Sequence, residues 1–393
     1  MHNHILEHIA SHLQSHTGYK EQHGTGLLGG ISGQLLFYWQ LSKQHPAMVN
    51  EALFHEQLEL IQQNLPQLAA QPAFAQGLSG VAWFLDLINF EQSGADYDRN
   101  YSDDLDQCLL HHLSQGNWDG NTEFMSGLAG IAVYGARRFQ QANKADIALS
   151  VLRQIEQQAL EISSGKVTWS KQQTISPSTG LNSKAKFDLG LAHGVVSVLA
   201  ALIALAQIPD CRLRASKLLK TGCSWLLAQA LPRQGFSSCF GNFAGQHEDS
   251  RLGWCYGDLG IALTLARAGD LLEDENLTKQ ATAIALSATE RTNPGRPVLD
   301  AALCHGSCGI SLLFLRLYQL LKAPKLKQAA DYWYKDSLRR YRENKLSGLM
   351  AYDADNKCYQ ESMGLLNGYA GIGLYLLYYQ QSDNSWLDAL LLA

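Results

Sequence analysis

Two thiols and an imidazole, Cys255, Cys304 and His305, are the residues of this chain whose types suit a catalytic metal. Two thiolates and one imidazole match Zn2+, which favours sulfur and nitrogen in a tetrahedron. Three protein ligands leave a fourth position open, the mark of a catalytic rather than a structural site. There is no CxxC pair, so a closed four-ligand finger is not indicated. The chemistry such a site offers is thiol activation. A free thiol, with a pKa of about 8.5, is mostly protonated at neutral pH, whereas a zinc-bound one is deprotonated outright. The expectation is one zinc per chain. The other six cysteines, Cys108, Cys211, Cys223, Cys239, Cys308 and Cys358, read as small core hydrophobes. Eight cysteines in 393 residues make no disulfide framework, which suits reduced thiols in a cytoplasmic protein.

Cys255 lies 49 residues before Cys304, so something must bring them together. The chain repeats a Gly-x-x-Gly signal followed by an apolar stretch: Gly30/Gly33, Gly77/Gly80, Gly127/Gly130, Gly257/Gly260, Gly306/Gly309 and Gly368/Gly371, with Gly194/Ser197 as a seventh copy. First glycines fall 47 to 67 residues apart, room for two helices and their connections. After each pair the sequence is apolar nearly all round, as in ISLLFLRLY and IGLYLLYY, and reads as a buried helix. Between pairs lie amphipathic stretches. ADIALSVLRQIEQQALEI sets Ile147, Val151 and Ile155 four apart, and KQAADYWYKDSLRRYREN is similar.

Buried and amphipathic helices thus alternate seven times. The fold class is all-α. The natural closure is an α/α-toroid over residues 1–393, an inner ring of about seven helices wrapped by an outer ring of about seven; an open helical solenoid is the alternative. Residues 163–186 break the pattern. They are polar, with β-type alternation around Val167–Trp169, and read as an inserted loop or small β-rich excursion at one mouth, or as a disordered segment, that helps hold a peptide. If the ring closes, equivalent positions meet at one end of the lumen. One residue before each first glycine stand Gly29, Gln76, Ser126, His193, Tyr256, His305 and Asn367; one earlier stand Leu28, Ala75, Met125, Ala192, Cys255, Cys304 and Leu366. The reactive types therefore cluster in copies four to six, and His193 and Tyr256 join the three metal ligands.

At these residues the chain resembles the LanC family, the lanthionine synthetase cyclases, and their LanC-like relatives. The matching motifs are AHG at Ala192–Gly194, WCYG at Trp254–Gly257, CHG at Cys304–Gly306, GLSG, GLAG and NGYAG at Asn367–Gly371. The resemblance covers nearly the whole chain. It implies an α/α-toroid with a single zinc at its mouth on Cys255, Cys304 and His305. It also implies active-site roles for His193, Tyr256 and Arg251, which stands four residues before Cys255. Where the family commonly has Asp, four residues before the glycine of the third copy, this chain has Glu123. The implied reaction is intramolecular Michael addition of a precursor-peptide cysteine to dehydroalanine or dehydrobutyrine, giving lanthionine or methyllanthionine. His193 would move protons, and Arg251 and Tyr256 would stabilise negative charge or position groups; a salt bridge between Arg251 and Glu123 is the structural reading of those two. The implied partners are a dehydrated precursor peptide (leader plus core), a separate dehydratase and an exporter, since the chain carries no dehydratase region of its own.

Composition narrows the field further. A formal net charge of -5 gives no electrostatic case for nucleic acid. The N-terminus lacks a basic and then apolar signal peptide, and the longest apolar run, residues 195–208, is too short to span a bilayer. The expected location is cytoplasmic, peripheral to a membrane-associated complex at most. The rival reading is a LanC-like protein that binds glutathione or adds it without making rings. A prenyltransferase subunit would need an Asp ligand and a partner chain, a glycosidase a pair of carboxylates, and a helical scaffold none of these residues.

Overall fold

The computed structural model describes residues 2–16, 24–116, 118–170, 187–232, 234–292 and 298–393. Each first glycine of the repeat caps the N-terminus of a buried helix: α2 (Ile31–Gln44), α4 (Leu78–Ser93), α6 (Leu128–Ala142), α8 (Val195–Ala206), α10 (Asp258–Leu271), α12 (Ser307–Leu321) and α14 (Tyr369–Gln381). Between them run α1 (His2–Ser15), α3 (Glu51–Leu68), α5 (Asp103–Ser114), α7 (Asp146–Gln157), α9 (Pro209–Leu227), α11 (Glu275–Thr289) and α13 (Pro324–Asn344). Each of the seven buried helices packs against the next, and α14 packs back on α2, so the inner ring closes. The second set wraps it, each helix against the inner helix before it. The exception is α1, which packs on α14, so the chain's first and last helices meet at a seam. The architecture is an α/α-toroid.

The second glycines have a steric reason. At Gly309 and Gly371 an added Cβ would come within 1.8 Å of the carbonyl oxygens of Leu303 and Leu365, in the turns that lead into α12 and α14. Those turns are stitched side by side. Leu28 N–H donates to Ala75 O (2.9 Å), Ala75 to Met125 (3.0 Å), Ala192 to Cys255 (3.2 Å), Cys255 to Cys304 (3.2 Å), Cys304 to Leu366 (3.0 Å) and Leu366 back to Leu28 (2.9 Å). This is the register read from the sequence, realised as a main-chain ring with one link replaced, between Met125 and Ala192. At the other end of the lumen residues 386–392 form a plug. Its carbonyls at Leu390, Leu391 and Leu392 accept from Trp254 Nε1, Arg267 Nη1 and Arg316 Nε at 2.8 to 2.9 Å. A mouth is therefore available where the helix N-termini gather.

Three details depart from the sequence reading. The amphipathic stretch ending at Ile162 is helical only to Gln157; Leu160–Ser163 is a strand, β1, paired with β2 (Lys166–Thr168). Trp169 stops the helix by tucking under it, its Nε1 donating to Ile155 O at 2.9 Å, and the turnover exposes Ile162. The rest of the inserted segment, 171–186, lies outside the described residues. A second hairpin, β3 (Ala351–Asp353) with β4 (Cys358–Gln360), occupies the sixth gap. Of the cysteines expected in the core, Cys211, Cys223 and Cys308 are buried, Cys108 and Cys239 are partly so, and Cys358 is exposed on β4. Among the described residues no helix is long and apolar enough to cross a membrane.

Candidate active site

Cys255 and Tyr256 end the turn before α10, Cys304 and His305 the turn before α12, and His193 the turn before α8. The turns of copies five and six are tied closely, because both Trp254 N–H and Cys255 N–H donate to Cys304 O, at 2.7 and 3.2 Å. Gly257 makes this possible. Its φ is +103° where the other six first glycines have negative φ, and a Cβ there would meet Arg251 O at 2.0 Å. That pairing brings one ligand atom each from Cys255, Cys304 and His305 to within 4.8 Å of one another.

The three side chains of the trio shift one another's protonation. A hydrogen bond from Cys304 holds the Cys255 thiol well below its ordinary range despite burial, with help from His305 and Arg251. The same contact, with burial, pushes Cys304 well up. Burial pulls the His305 imidazole down, but the Cys255 sulfur outweighs it and the net shift is upward. His305 Nδ1 is buried with no hydrogen-bond partner, while Asp300 Oδ2 stands 3.8 Å from Nε2 on the other side of the ring. A carboxylate behind a histidine is the usual support of a metal-bound imidazole. A buried, unpaired nitrogen on the histidine that converges with two thiols fits a zinc ion and is otherwise a cost of about 1–3 kcal/mol.

Around the trio the remaining candidates divide. Glu123, 3 % exposed, lies in the turn before α6. Its Oε2 accepts from Met125 N–H at 2.9 Å and stands 3.0 Å from His193 Nδ1. Its Oε1 accepts from Ser126 N–H and Oγ–H at 2.8 and 2.5 Å. Met125 N–H is the donor that would have closed the main-chain ring to copy four. A carboxylate has been inserted at that gap, and it carries the link onward to the imidazole of His193. Burial raises the Glu123 pKa, but the bonds from His193 and Ser126 prevail and the carboxyl is held below its usual range. The salt bridge to Arg251 is therefore not formed. Arg251 is exposed at the rim and makes no ion pair with another described residue, and its charge acts on Cys255, Cys304, His305 and Tyr256. Tyr256 donates its hydroxyl proton to Asp188 Oδ2 at 2.7 Å; burial and that carboxylate keep the phenol neutral.

Two residues were missed from sequence, Asp188 and Asp300. Both are buried and both brace their own turn, Asp188 Oδ1 accepting from Gly190 N–H and Asp300 Oδ1 from Ala302 N–H. A signal existed. Six residues before the first glycine the copies read Gly24, Gln71, Asn121, Asp188, Arg251, Asp300 and Ser362, so charge appears only in the three copies that carry the reactive side chains.

The family model for "Lanthionine synthetase C-like protein" matches residues 21–392. Among solved structures the chain is similar to nisin cyclase, at 18 % identity with a TM-score of 0.69, covering 98 % of this chain and 96 % of that one. A weaker likeness is to a sugar epimerase from a ruminal bacterium, at 13 % identity with a TM-score of 0.48, covering 78 % of this chain and 87 % of that one. With the family model spanning nearly the whole ring and the Cys, Cys and His turns converging at its mouth, the chain belongs to the lanthionine synthetase C-like family.

Proposed function

We propose that this protein is a zinc-dependent peptide cyclase that forms lanthionine or methyllanthionine rings. The observation that carries the reading is the convergence of Cys255, Cys304 and His305 with an orphaned Nδ1, beside a His193–Glu123 pair in the same ring of turns. The likeness to nisin cyclase supports it. Cys255, Cys304 and His305 would hold the zinc, which when bound supplies a Lewis acid that lowers the pKa of an incoming cysteine thiol.

The rest is done by this chain's own side chains. Glu123 accepts the Nδ1 proton of His193, leaving the lone pair on Nε2 of a ring that is partly exposed at the mouth. Nε2 takes the proton of the substrate thiol. The sulfur attacks the β-carbon of dehydroalanine or dehydrobutyrine, a C–S bond forms, and the π pair moves onto the α-carbon and carbonyl oxygen as an enolate. His193 then returns its proton to the α-carbon, so atoms balance and mass is unchanged. Arg251, exposed and uncommitted to another described residue, is the cation available for enolate charge. Tyr256 has its proton committed to Asp188, which suits it to positioning. The proposed substrate is a dehydrated precursor peptide delivered by a separate dehydratase.

The test is to incubate zinc-loaded protein with a dehydrated, cysteine-containing peptide and with glutathione in parallel. Thiol alkylation and mass spectrometry then count free cysteines. Loss of alkylatable thiol at constant peptide mass is the expected result. A peptide that instead gains one glutathione mass, with its own cysteine still free, would sink ring formation and support the glutathione-adding reading.

A further inference from the structure

The histidines are unevenly spread: His2, His4, His8, His12 and His16 are five of the 13, and the last four recur every fourth residue. That spacing aligns His4, His8 and His12 along one face of α1, with His16 one residue past its end; α1 is the helix at the seam against α14. His4 and His8 are both taken up by Tyr341, each Nδ1 lying 2.9 to 3.0 Å from its hydroxyl. His12 and His16 are not. Their rings lie 4.0 Å apart. Across the seam Glu361, just after β4, brings Oε1 to 3.0 Å from His12 Nε2. One ligand atom from each of His12, His16 and Glu361 lies within 4.8 Å of the other two.

A simple ion pair explains this less well than a cation does. His12 Nε2 is buried 3.0 Å from the Glu361 carboxylate, at ion-pair distance but without the in-line geometry of a good hydrogen bond. His16 Nδ1 lies 2.8 Å from His12 O. A carbonyl oxygen only accepts, so Nδ1 carries the proton and the lone pair sits on Nε2. An imidazole whose other nitrogen donates to a backbone carbonyl is the usual form of a metal ligand. The Tyr369 hydroxyl lies 3.4 Å from Glu361 Oε1 and 3.3 Å from Leu346 O, with one proton for the two acceptors. Two imidazole nitrogens from an i, i+4 pair and one carboxylate oxygen from elsewhere make a zinc donor set.

We propose that His12, His16 and Glu361 bind a second zinc ion, independent of the cysteine site, which fastens α1 to the segment leading into α14 and so pins the seam of the toroid. With two nitrogens, one oxygen and exposed ligands at His16 and Glu361, the seam site binds more weakly than the buried thiolate site and completes its coordination with water. Its role is structural, and no reaction is assigned to it.

The test uses full-length protein stripped with chelator and titrated with zinc chloride, read by calorimetry and by metal analysis after gel filtration. Wild type should take two zinc ions per chain, one tight and one weaker. Cys304→Ala should keep only the weaker one. His16→Ala and Glu361→Gln should each keep only the tight one, with secondary structure unchanged because both side chains are exposed. The thermal midpoint of wild type should rise as the second ion binds, and that rise should vanish in His16→Ala. Wild type and His16→Ala taking up the same number of ions would overturn the seam site, as would a Cys304→Ala protein that binds none. The outcome does not depend on whether the protein forms rings.

Discussion

Replacing Glu123 by Gln should separate proton transfer from metal binding. Four hydrogen-bonding contacts converge on this carboxylate: Met125 N–H and His193 Nδ1 at Oε2, Ser126 N–H and Oγ–H at Oε1. A carboxylate can accept all four, whereas a glutamine amide has one oxygen and an NH2 that only donates. If the oxygen stays on Ser126, the NH2 faces Met125 N–H and His193. The Met125 donor is then left unsatisfied in a buried turn, at about 1–3 kcal/mol of stability. His193 can accept from the NH2 only by moving its proton to Nε2, the nitrogen that should act as base. Loss of a positioned base costs about 10²- to 10⁴-fold in rate, or about 3–5 kcal/mol of barrier at about 1.4 kcal/mol per factor of ten. Zinc content should be unchanged, since the three ligands lie on other turns. The assay is the rate of loss of alkylatable thiol, beside zinc analysis and thermal denaturation. Glu123→Gln combined with His193→Asn should be no slower than the slower single variant, because the pair acts as a unit. Acidification offers a second readout. The folded Glu123 pKa is depressed, so its contribution to stability is full above the unfolded value of about 4.3 and is lost as pH falls through the folded value. Wild type should lose this increment below about pH 4.3 and Glu123→Gln should not. A variant that cyclises at the wild-type rate would refute the pairing argument, and one that loses zinc would show that Glu123 supports the metal instead.

Three further outcomes follow from the geometry. Cys304→Ala should abolish tight zinc binding, measured by metal analysis, and also cyclisation; retention of tight zinc would remove Cys304 from the ligand set. Gly257→Ala forces a side chain onto φ +103°, ψ -174° and to within 2.0 Å of Arg251 O, a region essentially reserved for glycine. It should lower stability by about 1–3 kcal/mol and weaken zinc binding, by denaturant melts and zinc titration. Arg138 is fully buried and bonded to Asp86, Asp106 and Tyr97. Arg138→Ala removes the guanidinium that Asp86 and Asp106 share, leaving Asp86 with Arg137, Tyr97 and Ser102 and Asp106 with Tyr134; breaking the buried network should cost about 3–5 kcal/mol in chemical denaturation, while zinc stoichiometry stays at the wild-type value.

The helix alternation, the seven copies and the convergent Cys–Cys–His trio are legible in the sequence because each rests on local or repeated information. An apolar stretch after a glycine pair is buried wherever the ring puts it, and equivalent positions of a closed ring share one end by symmetry. That is why Cys255, Cys304 and His305, distant in the chain, could be matched from their register alone. The pairings between copies were decided only by tertiary structure. Whether Glu123 meets Arg251 or His193 depends on the single replaced link in the main-chain ring, where Met125 N–H turns to a side chain instead of the next copy. Tyr256 reaches Asp188, and Asp300 backs His305, only because adjacent turns pack within hydrogen-bond distance, a contact no periodicity encodes. The end of α7 was misread for a related reason. The residues after Gln157 fit an amphipathic helix or a strand equally well, and the choice was made by Trp169, which finds its partner beneath the helix only after the chain has turned back on itself. The seam shows the same division. Histidine spacing along α1 is written in the sequence, but its meeting with Glu361 exists only once the first and last helices of the ring are side by side.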